Sequence, residues 1–160
     1  MRPVVARRLR LGIAIFACVF GVLTLIGGGT ALFGGAEAKA AAGNVVGFVL
    51  WFNFCAGFAY ITAGAGLFLN KGWAIALARL IALASIVVWA GLIFHILSGQ
   101  TYEARTLIAM SARTVIWVVI ALFAVFIWGL DRRSRLESSG QKAVQMLFVP
   151  SVEQGTLVRR

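Results

Sequence analysis

A chain of 160 residues with 61% apolar side chains, only 12% charged ones and a mean hydropathy of +0.95 is excluded from the ordinary soluble domains. Four membrane spans of ~20 residues use about half of that length, so no separate soluble catalytic domain fits. The net charge of +10 would suggest nucleic acid in a soluble protein. Here the basic residues crowd at the two termini outside the apolar runs, so topology explains them and no nucleic-acid partner is expected.

Residues 1–10 form a basic leader with Arg2, Arg7, Arg8 and Arg10, and the apolar run 11–33 that follows reads as the first span. Small-x-small sites at Ala36-Glu37-Ala38 and Ala38-Lys39-Ala40 also allow a cleaved signal peptide. The run is longer than the usual ~7 to 15 residue signal core, which favours a span. Gly27-Gly28-Gly29 lacks the strand-turn-helix setting and the Lys-Ser/Thr of a phosphate loop, and it reads as helix packing. A small-residue linker, 34–43, leads to a second span over 45–69.

Asn70-Lys71-Gly72 is a tight turn, so the third span, 73–97, must return antiparallel to the second as a helical hairpin. After Ser98-Gly99-Gln100, Thr101 is an expected N-cap, and the fourth span covers 106–130. Residues 131–160 form a basic tail that opens on Asp131-Arg132-Arg133-Ser134-Arg135, a stop-transfer cluster that also suits anionic headgroups. Its remainder is polar apart from the patch 146–149 and is expected to be mostly disordered.

Twelve Lys and Arg residues fall on the side of the termini and the Lys71 turn, against three, Lys39, Arg105 and Arg113, on the other. The positive-inside rule then places both termini in the cytoplasm. The expected fold is all-α, an integral membrane four-helix bundle, and the working location is a bacterial inner membrane. Cys18 and Cys55 lie inside spans without a CxxC or a partner His, so neither a disulfide framework nor a metal site is indicated. Trp51, Trp89 and Trp117 sit deep and are expected to pack between helices.

Small residues recur at helical spacing: Ala14, Ala17, Gly21, Thr24 and Gly28 in the first span, Gly57 and Gly64 in the second, Ala84 and Gly91 in the third. Such stripes let helix backbones approach closely in lipid, which has no hydrophobic driving force of its own. On span four, Glu103, Thr106, Met110, Arg113 and Trp117 share one face. Asn53, Gly57, Tyr60 and Gly64 share one on span two, and Ala84, Val88, Gly91 and His95 one on span three. Asn53 and Arg113 lie at matching depths, ~10 to 12 Å inside the outer boundary.

These faces define a candidate outward-facing polar pocket of Arg113, His95, Glu103, Asn53, Tyr60, Tyr102 and Met110, for a small ligand or a lipid headgroup. Arg113 is its costliest member, because an Arg deep in a span carries roughly 2.5 to 3.5 kcal/mol on insertion scales. Two placements compete for it: snorkelling to the headgroups, or facing the bundle beside Asn53, Glu103 or a ligand anion. A same-helix Glu103–Arg113 bridge is disfavoured by ~15 Å of axial separation. No nucleophile-base pair or cofactor motif occurs, and one histidine cannot supply two imidazoles to a b-type haem. No catalytic residue and no cofactor are therefore assigned.

The stretch His95, Gly99, Tyr102-Glu103, Thr106, Ala109-Met110 and Arg113, preceded by Trp51, Asn53, Gly57 and Tyr60, resembles a family of small four-span bacterial inner-membrane proteins uncharacterised as to activity. The resemblance covers spans two to four. It implies a shared architecture and supplies no substrate or cofactor. Quinone-linked thiol oxidoreductases of this size are disfavoured by the missing CxxC, and small multidrug exporters by the lack of an acidic residue in span one. The alternative function is a non-enzymatic accessory or assembly subunit, whose small-residue faces dock against a membrane-protein partner or a second copy.

Overall fold

The computed structural model describes residues 3–148, and these hold five helices and no strand. They are α1 (Pro3–Phe33), α2 (Ala36–Ala42), α3 (Gly47–Phe68), α4 (Trp73–Leu97) and α5 (Ala104–Phe148). Four stretches are long and apolar enough to cross a membrane: Arg7–Phe33, Gly47–Phe68, Trp73–Leu97 and Ala104–Gly129. Their bounds follow the hydropathy pattern to within a few residues.

Two segments depart from expectation. The linker after the first span contains the short helix α2, and an alanine-rich stretch such as Ala36–Ala42 has little to oppose that conformation. After residue 130, where a mostly disordered tail is expected, α5 runs on to Phe148. Pro150 and the rest of the tail lie outside the described residues. The described residues up to 124 form one compact unit and those from 125 a second, in which every described side chain from Leu136 to Met146 is exposed.

In the first unit the burial pattern is the reverse of a soluble protein's. Small residues are inside and large apolar ones outside. On α4, Ala74, Ala78, Ala82 and Ser85 are buried while Leu80, Leu83 and Val87 are 62 to 69% exposed. On α1, Ala14, Ala17, Gly21 and Thr24 are buried while Ile15, Val19, Leu23 and Ile26 point outward. Such a surface is stable only where the surrounding solvent is itself hydrocarbon, and the small-residue interior supplies close van der Waals packing.

The tightest packing joins α1 to α3. A Cβ added at Gly21 would stand 2.9 Å from the carbonyl oxygen of Gly57, and one at Gly64 would stand 2.6 Å from Cys18 Sγ and 2.9 Å from the carbonyl oxygen of Ala14. Backbone cannot yield as a side chain can, so glycine is required at both positions. The α3–α4 turn is closed by Asn70 in the left-handed region (φ 55°), and Arg10 Nη1 donates to Asn70 Oδ1 at 2.6 Å. This bond ties the turn to α1. Trp117 is fully buried and Trp89 half-buried, as expected, whereas Trp51 faces outward, edge-on to Phe33 and Phe54.

Candidate anion site between the helices

The rotation of α5 decides what Arg113 faces. At 100° per residue, Ser111 and Thr114 lie on one flank of the Met110–Trp117 face and Arg113 on the other. The first flank is fixed to α4: Trp89 Nε1 donates to Ser111 Oγ at 2.9 Å, and Thr114 Oγ1 donates to the carbonyl of Ser85 at 3.4 Å and to that of Met110 at 2.9 Å. Met110 and Trp117 are fully buried. The remaining flank, with Arg113, Thr106 and Ala109, is thereby turned toward α1.

Arg113 consequently points into the bundle. Its Nε is buried, and its Cζ stands 5.7 Å from the centroid of the Phe20 ring on α1. Among the described residues the guanidinium has no carboxylate within ion-pair distance, and Nε has no hydrogen-bond partner. The side chain forms part of the wall of an open cavity of about 460 Å³ lined by α1, α2, α3 and α5. Thr24, Asn53, Thr106 and Arg105 supply the other polar side chains of that wall, and Val45, Val46, Val49 and Leu50 its apolar floor. Asn53 Oδ1 is likewise buried and without a hydrogen-bond partner among the described residues.

Arg105 lies two helical turns from Arg113, ~12 Å along the axis, and its Nη2 donates to the carbonyl of Ala41 on α2 at 3.3 Å. It marks the α2 end of the cavity. Arg105 and Arg113 thus place two cations on one wall, with the Glu103 carboxylate in the loop above.

Tyr60 lies behind Phe20. Its ring stacks on Phe20 at 5.7 Å and meets Trp117 in a tilted contact at 4.5 Å. The hydroxyls of Tyr60 and Ser85 approach each other without reaching hydrogen-bond geometry, and Trp117 Nε1 also has no hydrogen-bond partner among the described residues. Arg113, Phe20, Tyr60 and Trp117 thus form a continuous stack across the bundle.

Of the seven residues expected to converge, Arg113 and Asn53 share the cavity and Tyr60 backs it. The other four do not line it. Met110 is core, packed with Val46, Val49 and Leu92. Glu103 Oε1 accepts the backbone N–H of Asn44 at 3.1 Å, closing the loop above the cavity instead of bridging to Arg113. His95 donates from Nε2 to the carbonyl of Thr101 at 3.4 Å and meets Phe48 edge-on at 6.2 Å. Tyr102 is exposed. The expected Thr101 cap is not formed, because α5 begins only at Ala104 and Thr101 lies too far before it.

Thr24, Thr106 and Arg105 were not among the expected site residues. The two-turn spacing of Arg105 and Arg113 was the available signal for the last. Among the described residues no group of three His, Cys, Asp or Glu side chains is placed to hold a metal. Comparison with protein-family models, curated proteins and solved structures finds no match.

Proposed function

We propose that this multi-pass membrane protein binds a phosphate-bearing anion, a small molecule or a lipid headgroup, in the cavity between α1, α3 and α5. One observation carries the reading: a permanent cation turned into a cavity wall with no described carboxylate to balance it. A guanidinium presents donors in a fork that matches a tetrahedral oxyanion. Asn53, Thr24 and Thr106 add neutral polar groups beside it, and Arg105 draws anions toward the α2 end. The Lys and Arg bias supports an orientation with that end on the outer face and both termini in the cytoplasm, and a bacterial inner membrane is the location we propose. Titrating the detergent-purified protein with glycerol phosphate tests the reading. Arg113→Gln is expected to lose binding while keeping its unfolding midpoint, and undiminished binding by that variant would overturn the proposal.

A second reading, an assembly subunit, is favoured by the exposed Leu136, Val144 and Met146 beyond the last span. Copurification of a stoichiometric membrane partner, lost on changing all three to Ser, tests it.

A further inference from the structure

Resting on the reading of Arg113 as an anion site, we infer that the ligand is an amphiphile: a phosphate-bearing membrane lipid whose acyl chain lies in the seam between α1 and α5. Beyond the Arg113–Phe20 pair the same two helices enclose a second groove of about 820 Å³. On α5 it is lined by Val115, Ile116, Val119, Ile120 and Phe123. On α1, apart from Arg8 near its far end, its lining is apolar and includes Gly12 and Phe16.

Helical phase makes the cavity and the groove parts of one seam. On α5, Arg113, Ile116, Ile120 and Phe123 follow at steps of three and four. On α1, Thr24, Phe20, Phe16 and Gly12 follow at steps of four. The polar cavity and the apolar groove therefore follow one another along the same two helices, with the Arg113–Phe20 pair between them in sequence. From Arg113 to Phe123 the seam runs ~15 Å toward the cytoplasmic ends of both helices, about half of the ~30 Å hydrocarbon core, so a chain lying there extends from a phosphate drawn in to mid-span.

Three features favour a lipid over a free anion. The cavity floor of Val45, Val46, Val49 and Leu50 is a poor exchange for the water shell of an inorganic ion. Leu23 and Gly27 on the cavity's α1 edge are exposed on the surface that faces the bilayer, so a lipid can enter sideways. Gly12 leaves the groove wide: a Cβ there would meet nothing within 4 Å. Between Arg113 and Arg8 the walls are apolar over the length of an acyl chain, which suits the chain of a lipid whose phosphate is held at Arg113.

The test uses native mass spectrometry of the delipidated full chain with three probes: dioleoylphosphatidylglycerol, glycerol phosphate as its head without chains, and dioleoylglycerol as its chains without phosphate. The phosphatidylglycerol is expected to bind about tenfold or more tighter than either fragment. Arg113→Gln is expected to reduce phosphatidylglycerol to the level of dioleoylglycerol. Gly12→Leu, which fills the groove, is expected to reduce it to the level of glycerol phosphate while leaving glycerol phosphate itself unchanged. Val119→Trp fills the same groove from an exposed position on α5 and serves if Gly12→Leu does not fold.

Equal binding of phosphatidylglycerol and glycerol phosphate, both sensitive to Arg113 and neither to groove filling, would overturn the lipid assignment and leave a free-anion site standing. Insensitivity of every probe to Arg113→Gln would remove the anion site as well. A dimer that Gly12→Leu dissociates would assign the seam to a second copy and overturn the inference.

Discussion

The guanidinium of Arg113 stands over the ring of Phe20, its Cζ 5.7 Å from the centroid. That distance is near the ~6 Å limit of a cation–π contact, worth ~0.5 to 2 kcal/mol depending on desolvation. An Arg at mid-span costs roughly 2.5 to 3.5 kcal/mol on insertion scales. The ring therefore offsets only part of the cost, and an anion in the cavity is the natural complement. Phe20→Leu keeps the apolar volume and removes the π-face. A double-mutant cycle with Arg113→Gln, read by unfolding in mixed micelles, is expected to show coupling of ~0.5 to 1 kcal/mol. Zero coupling would place the guanidinium elsewhere.

Close α1–α3 contact makes a second expectation. Gly64→Val must push against the Ala14 carbonyl and Cys18, and overpacking of this kind costs typically ~1 to 3 kcal/mol. Gly12→Ala meets open space and replaces a mid-helix glycine, so it is expected to be neutral or to stabilise by up to ~1 kcal/mol. Unfolding midpoints of the two variants in one detergent separate them. A tolerated Gly64→Val would mean that α1 and α3 stand farther apart.

Tyr60 contributes its ring and not its hydroxyl. The ring is fully buried between Phe20 and Trp117, while the OH has no hydrogen-bond partner among the described residues. Tyr60→Phe is expected to change stability by less than ~1 kcal/mol or to raise it, since an unpaired buried polar group is removed. Tyr60→Ala is expected to cost ~3 to 5 kcal/mol, in the manner of other buried aromatic truncations. A large loss in Tyr60→Phe would show that the hydroxyl is bonded.

At the opposite end, Asn70 combines a left-handed backbone with the Arg10 hydrogen bond. Asn70→Gly keeps the backbone conformation and loses only the bond, ~0.5 to 3 kcal/mol. Asn70→Ala adds the left-handed strain of a Cβ, another ~1 to 2 kcal/mol. The order wild type, Gly, Ala in unfolding midpoint is the expected result. Ala equal to Gly would contradict the turn geometry.

The four spans, the α3–α4 hairpin and the small-residue stripes of α1 and α3 were legible in the sequence because period and composition act locally, whereas on α4 the buried small residues are Ala74, Ala78, Ala82 and Ser85 and the expected Ala84 and Gly91 are half-buried. The similar depth of Arg113 and Asn53, which line one cavity, follows from helical rise. What could not be read was rotation. His95 and Glu103 have the right depth for the pocket, but backbone groups of nearby loops, Thr101 and Asn44, claim them. Met110 shares a helix face with Arg113, yet the hydrogen bonds from α5 to α4 turn it into the core. Side chains that settle a helix's rotation lie on a different element, and spacing along one helix carries no record of them. The α5 helix beyond residue 130 was missed for a related reason: low apolar content argues against burial, not against helix, and that stretch is exposed throughout its described part.

The most direct measurement of whether the Arg113 guanidinium holds a phosphate inside the bundle is a dipolar-recoupling solid-state NMR experiment. Protein with ¹⁵N-labelled arginine is reconstituted in phosphatidylglycerol, and the wild-type minus Arg113→Gln difference isolates this guanidinium from those at the membrane surface. A nitrogen–phosphorus contact within about 5 Å, the geometry of a charge-assisted pair, is the expected result. A difference signal that shows the Phe20 ring but no phosphorus would contradict it.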